Sequence, residues 1–430
     1  MSLIKSTYSG VKWTSATAVI QALVHLLRIS ILARFLDKSD FGIMAILLFV
    51  IGFLNLFMDM GTSSAILHKK DISEKEYSSL FWLNIIFSIV VYCFILVLGP
   101  FIEAFYKVDK LSVLLAVIGS GVIITALGRQ SKVILQKELL FKSIGIIDSV
   151  SAIISLFISI IFAFFDFGIY SLIFGVLSQY VISSIAFFIV RFRKERISMY
   201  FSYEDVKPFL KIGIFQVGGQ VLNFFSRDID ILLIGKLLGT EILGIYSLAK
   251  QLVNSPIQLI NPILVKVASP IMAKIQDNIQ LLRSSYLKLI NVVSTVNFPI
   301  YFLILIFSPI IIRIFYGPGF EAAIFPVKIL SIYMAIRSLG NPVSALVIAT
   351  GRTDLEFYWN VFVLCTVPIA VYIGAQWGVD GVLYSLMLSR VVIFVPGWYI
   401  LLWKTIQIPF ADYCRSIIPN INNLMVFVKK

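Results

Sequence analysis

Six cationic side chains fall inside long apolar stretches of this sequence, where a charge requires a partner. They are Arg28, Arg227, Lys250, Lys328, Arg337 and Arg390. A cation at the centre of a bilayer costs about 2.5–3.5 kcal/mol on insertion scales, so such residues face a wet cavity or a counter-charge. The deepest acids in the same stretches are Asp228 and Asp230. This surplus of positive charge favours an anionic ligand, and the planar fork of arginine suits a diphosphate.

The six cations differ in how easily they are explained without a ligand. Arg227 and Asp230 are three residues apart on one helical face, so they could neutralise one another. Lys328 lies about two turns from a helix end, from which a lysine can extend to the headgroups. Three arginines have no acidic neighbour on their own helix that could pair with them: Arg28, Arg337 and Arg390.

Two segments of the chain carry the same polar line along an apolar helix. Thr14–Asp37 aligns without a gap on Gln216–Gly239 after a shift of 202 positions, and Gly42 then falls on Gly244. At ~100° per residue, positions i, i+4, i+7, i+11 and i+14 stay on one face. They hold Thr14, Ala18, Gln21, His25 and Arg28 in the first segment and Gln216, Gln220, Asn223, Arg227 and Asp230 in the second. The chain is therefore predicted to be a duplication with a polar-striped helix opening each half.

The two stripes predict cavity-lining side chains that would suit sugar hydroxyls. They are Gln21, His25, Gln216, Gln220, Asn223 and Asp230. Side-chain amides donate and accept hydrogen bonds, but this capacity alone does not identify a ligand. His25 has two readings, a proton carrier that titrates near neutral pH or a neutral residue held by hydrogen bonds in the cavity.

The composition indicates a helical membrane protein. Of 430 residues, 59% are hydrophobic and 14% charged, and the mean hydropathy is +0.95. Apolar runs of ~20 residues match the length that a helix needs to cross a hydrocarbon core of ~30 Å. The net charge of +13 fits the Lys and Arg surplus of cytoplasmic loops, and not a nucleic-acid partner. The three cysteines show no disulfide framework or metal spacing.

Twelve spans are predicted, and the placement of charge orients them. Their approximate bounds are 13–35, 41–60, 78–98, 111–127, 144–165, 169–190, 209–234, 243–265, 288–311, 322–347, 357–377 and 380–402. The N-terminus and the loops after even-numbered spans hold 22 Lys and Arg up to Arg415, whereas the opposite loops hold 6. This asymmetry predicts that both termini are cytoplasmic. The mixed basic and apolar segments 129–142 and 266–288 are predicted to be interfacial helices on that face.

The spans group into two predicted lobes. The N-terminal lobe is 1–195, a basic cytoplasmic linker is 196–208, and the C-terminal lobe is 209–403. The tail 404–430 is too polar to span the membrane. We expect it to lie on the membrane or to begin a further helix.

The sequence shows no motif of an enzyme site, a metal centre or a bound cofactor. It has no Gly-rich phosphate loop before Lys-Ser/Thr, no zinc-ligand spacing and two histidines. Asp228 and Asp230 lie about 200° apart on one helix, so they are predicted not to share a substrate. The external loops are short and leave no room for a catalytic domain.

Three stretches of the chain resemble one family of membrane transporters. Arg227–Gly239, followed by Leu243–Tyr246, resembles the Arg-Asn-x-Asp-x-Leu-Leu-Ile-Gly-Arg/Lys stretch of Wzx-type polysaccharide flippases. Ala33–Gly42 is similar to the exit of the first helix of these proteins, and Gly61–Asn84 resembles the second cytoplasmic loop of the colanic-acid and teichuronic-acid exporter branch. The resemblance covers nearly the whole chain. It departs at Asp228, where the family has Asn, and members of the branch often continue for two further helices.

The resemblance implies a fold and a function. The fold is that of the MOP exporter superfamily, an all-α polytopic, MATE-like arrangement of two six-helix bundles. The function is a flippase that moves polyprenyl-diphosphate-linked oligosaccharide across the bacterial plasma membrane by alternating access of two lobes. Five residues are expected to hold the diphosphate: Arg28, Arg227, Lys250, Arg337 and Arg390. The expected partners are lipid-linked oligosaccharide, membrane lipids and polysaccharide polymerase machinery, with the chain a monomer that needs no cofactor.

Two other functions fit parts of the sequence. A cation-coupled multidrug exporter would share the architecture, but it needs carboxylates that exchange protons or sodium for cationic drugs, and here positive charge is in surplus. A membrane polysaccharide polymerase or glycosyltransferase would need a sizeable catalytic loop, for which the predicted spans leave no room.

Overall fold

The structure is a computed structural model that describes residues 3–59, 63, 66, 67, 69, 72–192 and 198–420. These residues form helices and no strand. The helix bounds are α1 Leu3–Leu32, α2 Lys38–Asp59, α3 Glu74–Tyr106, α4 Leu111–Lys137, α5 Phe141–Phe164, α6 Ile169–Phe192, α7 Tyr203–Leu238, α8 Thr240–Lys274, α9 Ile279–Phe315, α10 Ile324–Ser338, α11 Val343–Thr350, α12 Thr353–Gly374, α13 Gly378–Gly397 and α14 Phe410–Ile417.

Nine segments of the described chain are long and apolar enough to cross a membrane. One of them, Asp354–Ile406, contains the two helices α12 and α13, which are separated by a 3-10 turn at Ala375–Trp377. α7 is not among the nine, because Arg227, Asp228 and Asp230 interrupt its apolar stretch. The chain is thus a multi-pass helical membrane protein, while the count of twelve spans stays a prediction.

Two predicted interfacial helices are wrong. Residues 129–137 continue α4, and the turn before α5 is made at Leu139, whose φ is +60°. The continuation is stabilised by packing, because Gln130 donates to the carbonyl oxygen of Tyr77 (2.9 Å) and Val133 lies in a buried cluster with Tyr77. In the segment predicted at 266–288, α8 continues to Lys274 and α9 begins at Ile279.

The chain divides into two compact units. The first comprises Met1–Phe224 with Gly239–Gly244, and the second comprises Phe225–Leu238 with Ile245–Lys430. The helix α7 therefore contributes its first part to one unit and its last part to the other. The predicted lobe bounds stay a prediction.

The first unit packs its helices closely at small residues. α5 contacts α1 and α6, and α4 contacts α3 and α6. A side chain at Gly128 in α4 would overlap the backbone of Ser184 in α6, and one at Gly175 in α6 would overlap Ser159 in α5. Since lipid is as apolar as the helices, such small residues are what allow helix backbones to pack tightly in a membrane.

The second unit is built around α9, α10, α12 and α13. Its last apolar helix ends in a π-helical segment, Trp398–Trp403. The helix α14 then packs on α9, where the amide of Asn291 donates to the carbonyl oxygens of Ser416 (3.1 Å) and Ile418 (2.6 Å). The indole of Trp398 also donates to the carbonyl oxygen of Ile408 (2.9 Å), which fixes the chain between them.

The internal repeat is visible as a reciprocal contact between the starts of α2 and α8. A side chain on Gly42 would overlap the carbonyl oxygen of Thr240, and one on Gly244 would overlap the carbonyl oxygen of Lys38. The pairs Lys38 and Thr240, and Gly42 and Gly244, are each 202 positions apart, and all four residues lie in the first unit. The shift found in the sequence therefore relates two matching halves of one helix crossing.

We predict that Gly42→Ala destabilises the protein, because the added methyl group would overlap a backbone carbonyl that cannot turn away. Overpacking typically costs about 1–3 kcal/mol. Gly218→Ala is the matched control, since nothing lies within 4 Å of a methyl group there. The measurement is the melting temperature of the purified protein in detergent. Equal melting temperatures for the two variants would contradict the predicted overlap.

Candidate functional site

Arg28 is a buried arginine in α1 without an acidic partner. Its side chain donates to the hydroxyl of Ser155 in α5 and to Oε1 of Gln179 in α6 (3.3 Å). The residue is 6% exposed, and its Nε has no hydrogen-bond partner in the described part of the chain. No carboxylate among the described residues is within ion-pair distance of it. A buried, charged donor left unsatisfied is costly, so this site favours an anion.

The surroundings of Arg28 belong to the same polar face. His25 and Gln21 precede it on α1, and both are half-buried. His25 lies within electrostatic range of Arg28. Tyr180 of α6 lies within electrostatic range of both Arg28 and Arg129. The first unit thus collects polar side chains from three helices around one buried cation.

Arg129 is a residue that sequence reasoning placed elsewhere. It was predicted to begin an interfacial helix, but it belongs to α4, and its guanidinium donates to Oδ1 of Asn55 in α2 (3.3 Å). The predicted span ended at 127. Gly128, which packs on Ser184, is the signal that the helix continues. Ser155 and Gln179 were missed too, although a search for polar residues inside spans five and six would have found them.

The second unit contains a network of four charges around the buried Lys250. Nζ of Lys250 in α8 lies 3.1 Å from Oδ1 of Asp228 and 2.8 Å from Oδ1 of Asp230, and it donates to the carbonyl oxygen of Arg227 (3.0 Å). Lys250 is 5% exposed. The hydroxyl of Tyr246 donates to Oδ2 of Asp230. The ammonium group is therefore fully engaged by α7.

This network shows how the charges of α7 are compensated. Asp228 and Asp230 both contact Lys250 of the neighbouring helix α8. Arg227 pairs with Asp228. Its Nε lies 2.7 Å from Oδ2 of Asp228, and its side chain is 53% exposed. The two acids thus balance Arg227 and Lys250.

Arg337 and Arg390 lie in a different setting from this network. Nη2 of Arg390 donates to the hydroxyl of Tyr333 (2.9 Å), and its guanidinium lies 4.8 Å from the centre of that ring. Its Nε has no partner among the described residues. Nη1 of Arg337 donates to the sulfur of Met334 (4.0 Å). Neither arginine has a carboxylate within ion-pair distance in the described chain.

Tyr333 connects the two groups of charges in the second unit. Its hydroxyl lies within electrostatic range of Arg390, Arg337 and Asp230. Arg337 and Arg390 also line one cavity of about 170 Å³ within this unit. The second unit therefore combines an ion network with no net charge and two arginines that line a cavity.

The remaining stripe residues of α7 occupy varied positions. Gln220 is half-buried and Asn223 exposed. Both carboxylate oxygens of Asp230 are engaged, one by Lys250 and the other by Tyr246. The side chain of Gln216 lies outside the described residues. Their role towards sugars stays a prediction.

Comparison with known proteins identifies relatives along nearly the whole chain. The chain is 28% identical to the lipopolysaccharide biosynthesis protein WzxC of Escherichia coli K12, over 97% of this chain and 85% of the relative. It is 29% identical to the teichuronic acid biosynthesis protein TuaB of Bacillus subtilis 168, over 97% of this chain and 86% of the relative.

Solved structures share the fold at low sequence identity. The lipid II flippase MurJ in an inward closed conformation matches with a TM-score of 0.76 at 16% identity, over 97% of this chain and 92% of that one. An inward-facing multidrug resistance MATE family transporter of the MOP superfamily matches with a TM-score of 0.69 at 17% identity, over 88% and 97%. The predicted MATE-like, all-α fold is thereby confirmed. Residues 31–325 match the family model described as "Polysaccharide biosynthesis protein", and the chain therefore belongs to this polysaccharide biosynthesis family, in which the sequence resemblance placed it.

Proposed function

We propose that this protein is a flippase that moves polyprenyl-diphosphate-linked oligosaccharide from the inner to the outer leaflet of the bacterial plasma membrane. The observation that carries the proposal is Arg28, a buried arginine in a membrane-length helix with an unpaired Nε and no acid beside it among the described residues. An uncompensated cation inside a membrane marks a ligand or ion pathway. Relatives named for lipopolysaccharide and teichuronic acid biosynthesis support a glycan as the cargo.

The proposed diphosphate ligands fall into two ranks. Arg28, Arg337 and Arg390 come first, since no carboxylate competes for them in the described structure. Arginine binds phosphate oxygens bidentately, which suits a diphosphate. Lys250 and Arg227 come second, because Asp228 already holds both of them. A diphosphate would have to draw these two cations away from that carboxylate.

The oligosaccharide is proposed to contact the two polar stripes, while the lipid tail stays in the bilayer. In the first unit the stripe includes Gln21 and His25, which lie on the same helix as Arg28. The other proposed sugar contacts are Gln216, Gln220, Asn223 and Asp230. This placement keeps the sugar hydroxyls close to the cations that bind the diphosphate to which the sugars are joined.

We also propose a topology for the protein. The chain crosses the membrane twelve times with both termini cytoplasmic. It forms two six-helix lobes at 1–195 and 209–403, with a linker at 196–208 and a tail at 404–430. The lobes alternate access to the two leaflets. The protein acts as a monomer beside a polysaccharide polymerase.

We expect Arg28→Gln to slow flipping at least tenfold, since a charge-assisted hydrogen bond contributes about 1.5–3 kcal/mol. Arg313→Gln is the control, because Arg313 is an exposed cation in the last turn of α9. The assay follows leaflet exposure of a synthetic polyprenyl-diphosphate disaccharide in proteoliposomes, with and without a proton or sodium gradient. Wild-type protein that leaves the leaflet distribution unchanged would refute the flippase, and normal flipping by Arg28→Gln would refute the role of Arg28.

The ion network generates a separate prediction about stability. Lys250→Met should lower the melting temperature strongly, because breaking a buried ion pair costs about 3–5 kcal/mol. The double variant Asp230→Asn with Lys250→Met should recover part of the loss. Lys236→Met, at an exposed lysine of α7, should have little effect. A Lys250→Met protein as stable as Lys236→Met would contradict a structural role for Lys250.

A further inference from the structure

The second unit contains a cavity whose lining differs from that of the ion network. It is lined by residues from the end of α10, the start of α12, the last turns of α13 and the short helix α14. Its volume is about 170 Å³. Drug-sized ligands occupy pockets from about 300 Å³ upwards. The cavity is therefore too small for an oligosaccharide and of a size for one sugar ring with a substituent.

One wall of this cavity is cationic. Arg337 and Arg390 both line it, against one acid, Glu356. Glu356 is held through Oε1 by the hydroxyl of Ser344 (2.9 Å) and forms no ion pair with either arginine in the described structure. Because Nε of Arg390 is buried without a partner, an occupant that carries an anion would satisfy this wall better than a neutral one.

Aromatic side chains also line the cavity, and two of them are held in place by neighbouring residues. Trp359 and Trp398 line the cavity together with Tyr413. The indole of Trp398 is fixed by its hydrogen bond to Ile408, and Tyr413 stacks on Phe394 with the ring centres 5.6 Å apart. Aromatic side chains offer a flat apolar body, against which the C–H face of a pyranose ring can pack.

Polar groups suited to hydroxyls complete the lining. Asn360 lines the cavity, and its side-chain amide makes no hydrogen bond among the described residues, since the bond from Ser226 (3.0 Å) goes to its backbone oxygen. The second oxygen of Glu356 is also open to a donor. A few polar groups within an otherwise apolar wall are what fix the orientation of a small ligand.

We propose that this cavity binds a single sugar unit that bears an anionic group, with the anion on Arg337 and Arg390 and the ring against Trp359. The inference deepens the proposed function and rests on it for its biological meaning, since it assigns one unit of the translocated glycan to the second unit of the protein. The anion is either the phosphate at the first sugar or the carboxylate of an acidic sugar within the chain. Under the proposed topology the cavity lies towards the cytoplasmic side, where the substrate is loaded.

The test measures binding to the purified full-length protein in detergent by isothermal titration calorimetry. The probes are glucose-1-phosphate, glucuronic acid, glucose and inorganic phosphate. We expect one or both anionic sugars to bind at least tenfold more tightly than glucose and than inorganic phosphate, and the preferred one identifies the source of the anion. Equal affinity for glucose would overturn the role of the two arginines, and equal affinity for inorganic phosphate would overturn the role of the aromatic side chains.

Three variants and two controls assign the binding to this cavity. Arg337→Gln should lower the affinity for the preferred sugar at least tenfold. Trp359→Phe should lower it about threefold. Gly340→Leu should abolish binding by filling the cavity, because an added Cβ at Gly340 meets only the carbonyl oxygen of Arg337, at 3.4 Å. Arg313→Gln and Trp377→Phe, at exposed residues, should bind normally.

The result separates the cavity from the flippase itself. Normal binding by both Arg337→Gln and Gly340→Leu would overturn the sugar site even if the wild-type protein flips its substrate. Sugar binding that these variants lose would uphold the site even if the proteoliposome assay finds no flipping. Melting temperatures of the variants are measured alongside, and Gly340→Leu provides the result if Arg337→Gln fails to fold.

Discussion

The cost of an uncompensated charge in an apolar surrounding organises this protein. Every cation on a membrane-length helix must find a counter-charge, reach water or wait for a ligand. Lys250 has found its counter-charges in Asp228 and Asp230. Arg28 has hydrogen-bond acceptors, but among the described residues it has no counter-charge and its Nε has no hydrogen-bond partner. The same rule therefore separates the cations that stabilise the fold from those available to bind an anion.

The two kinds of cation depend on different packing. Lys250 reaches α7 because α8 follows it after a single glycine, Gly239, which brings the two helices together as neighbours. Arg28 is held by polar residues on α5 and α6, whose backbones approach at Gly175. In the second unit, the hydroxyl of Tyr333 accepts from Arg390 and lies within electrostatic range of Arg337 and Asp230. Small residues and aromatic rings thus set where charge is neutralised and where it is left over.

Much of the fold could be predicted from the sequence, because hydrophobic length and internal repetition are properties of the chain itself. The bounds of α2, α5 and α6 agree with the predicted spans 41–60, 144–165 and 169–190 to within about three residues. Those of α4 disagree at Arg129, where burial of Gln130 and Val133 extends a helix through basic residues. The pairing of Asp228 and Asp230 could not be predicted from α7 alone, since the lysine that joins them comes from another helix. The aromatic cavity was missed for the same reason, because its lining residues come from five separate helices.

The crossing of α2 and α8 has a consequence for how this gene could diverge after its duplication. Arg28 and Gly42 are fourteen positions apart, and so are Asp230 and Gly244. One residue inserted in α1 after Arg28, or in α7 after Asp230, would turn the polar stripe by ~100° relative to the end of its helix, which leads to that glycine. Amino-acid replacements leave that register intact, as the exchange of a buried arginine for a buried aspartate shows. The two copies were therefore open to specialisation by exchange of side chains, while gain or loss of codons in these helical turns would disturb the register in both.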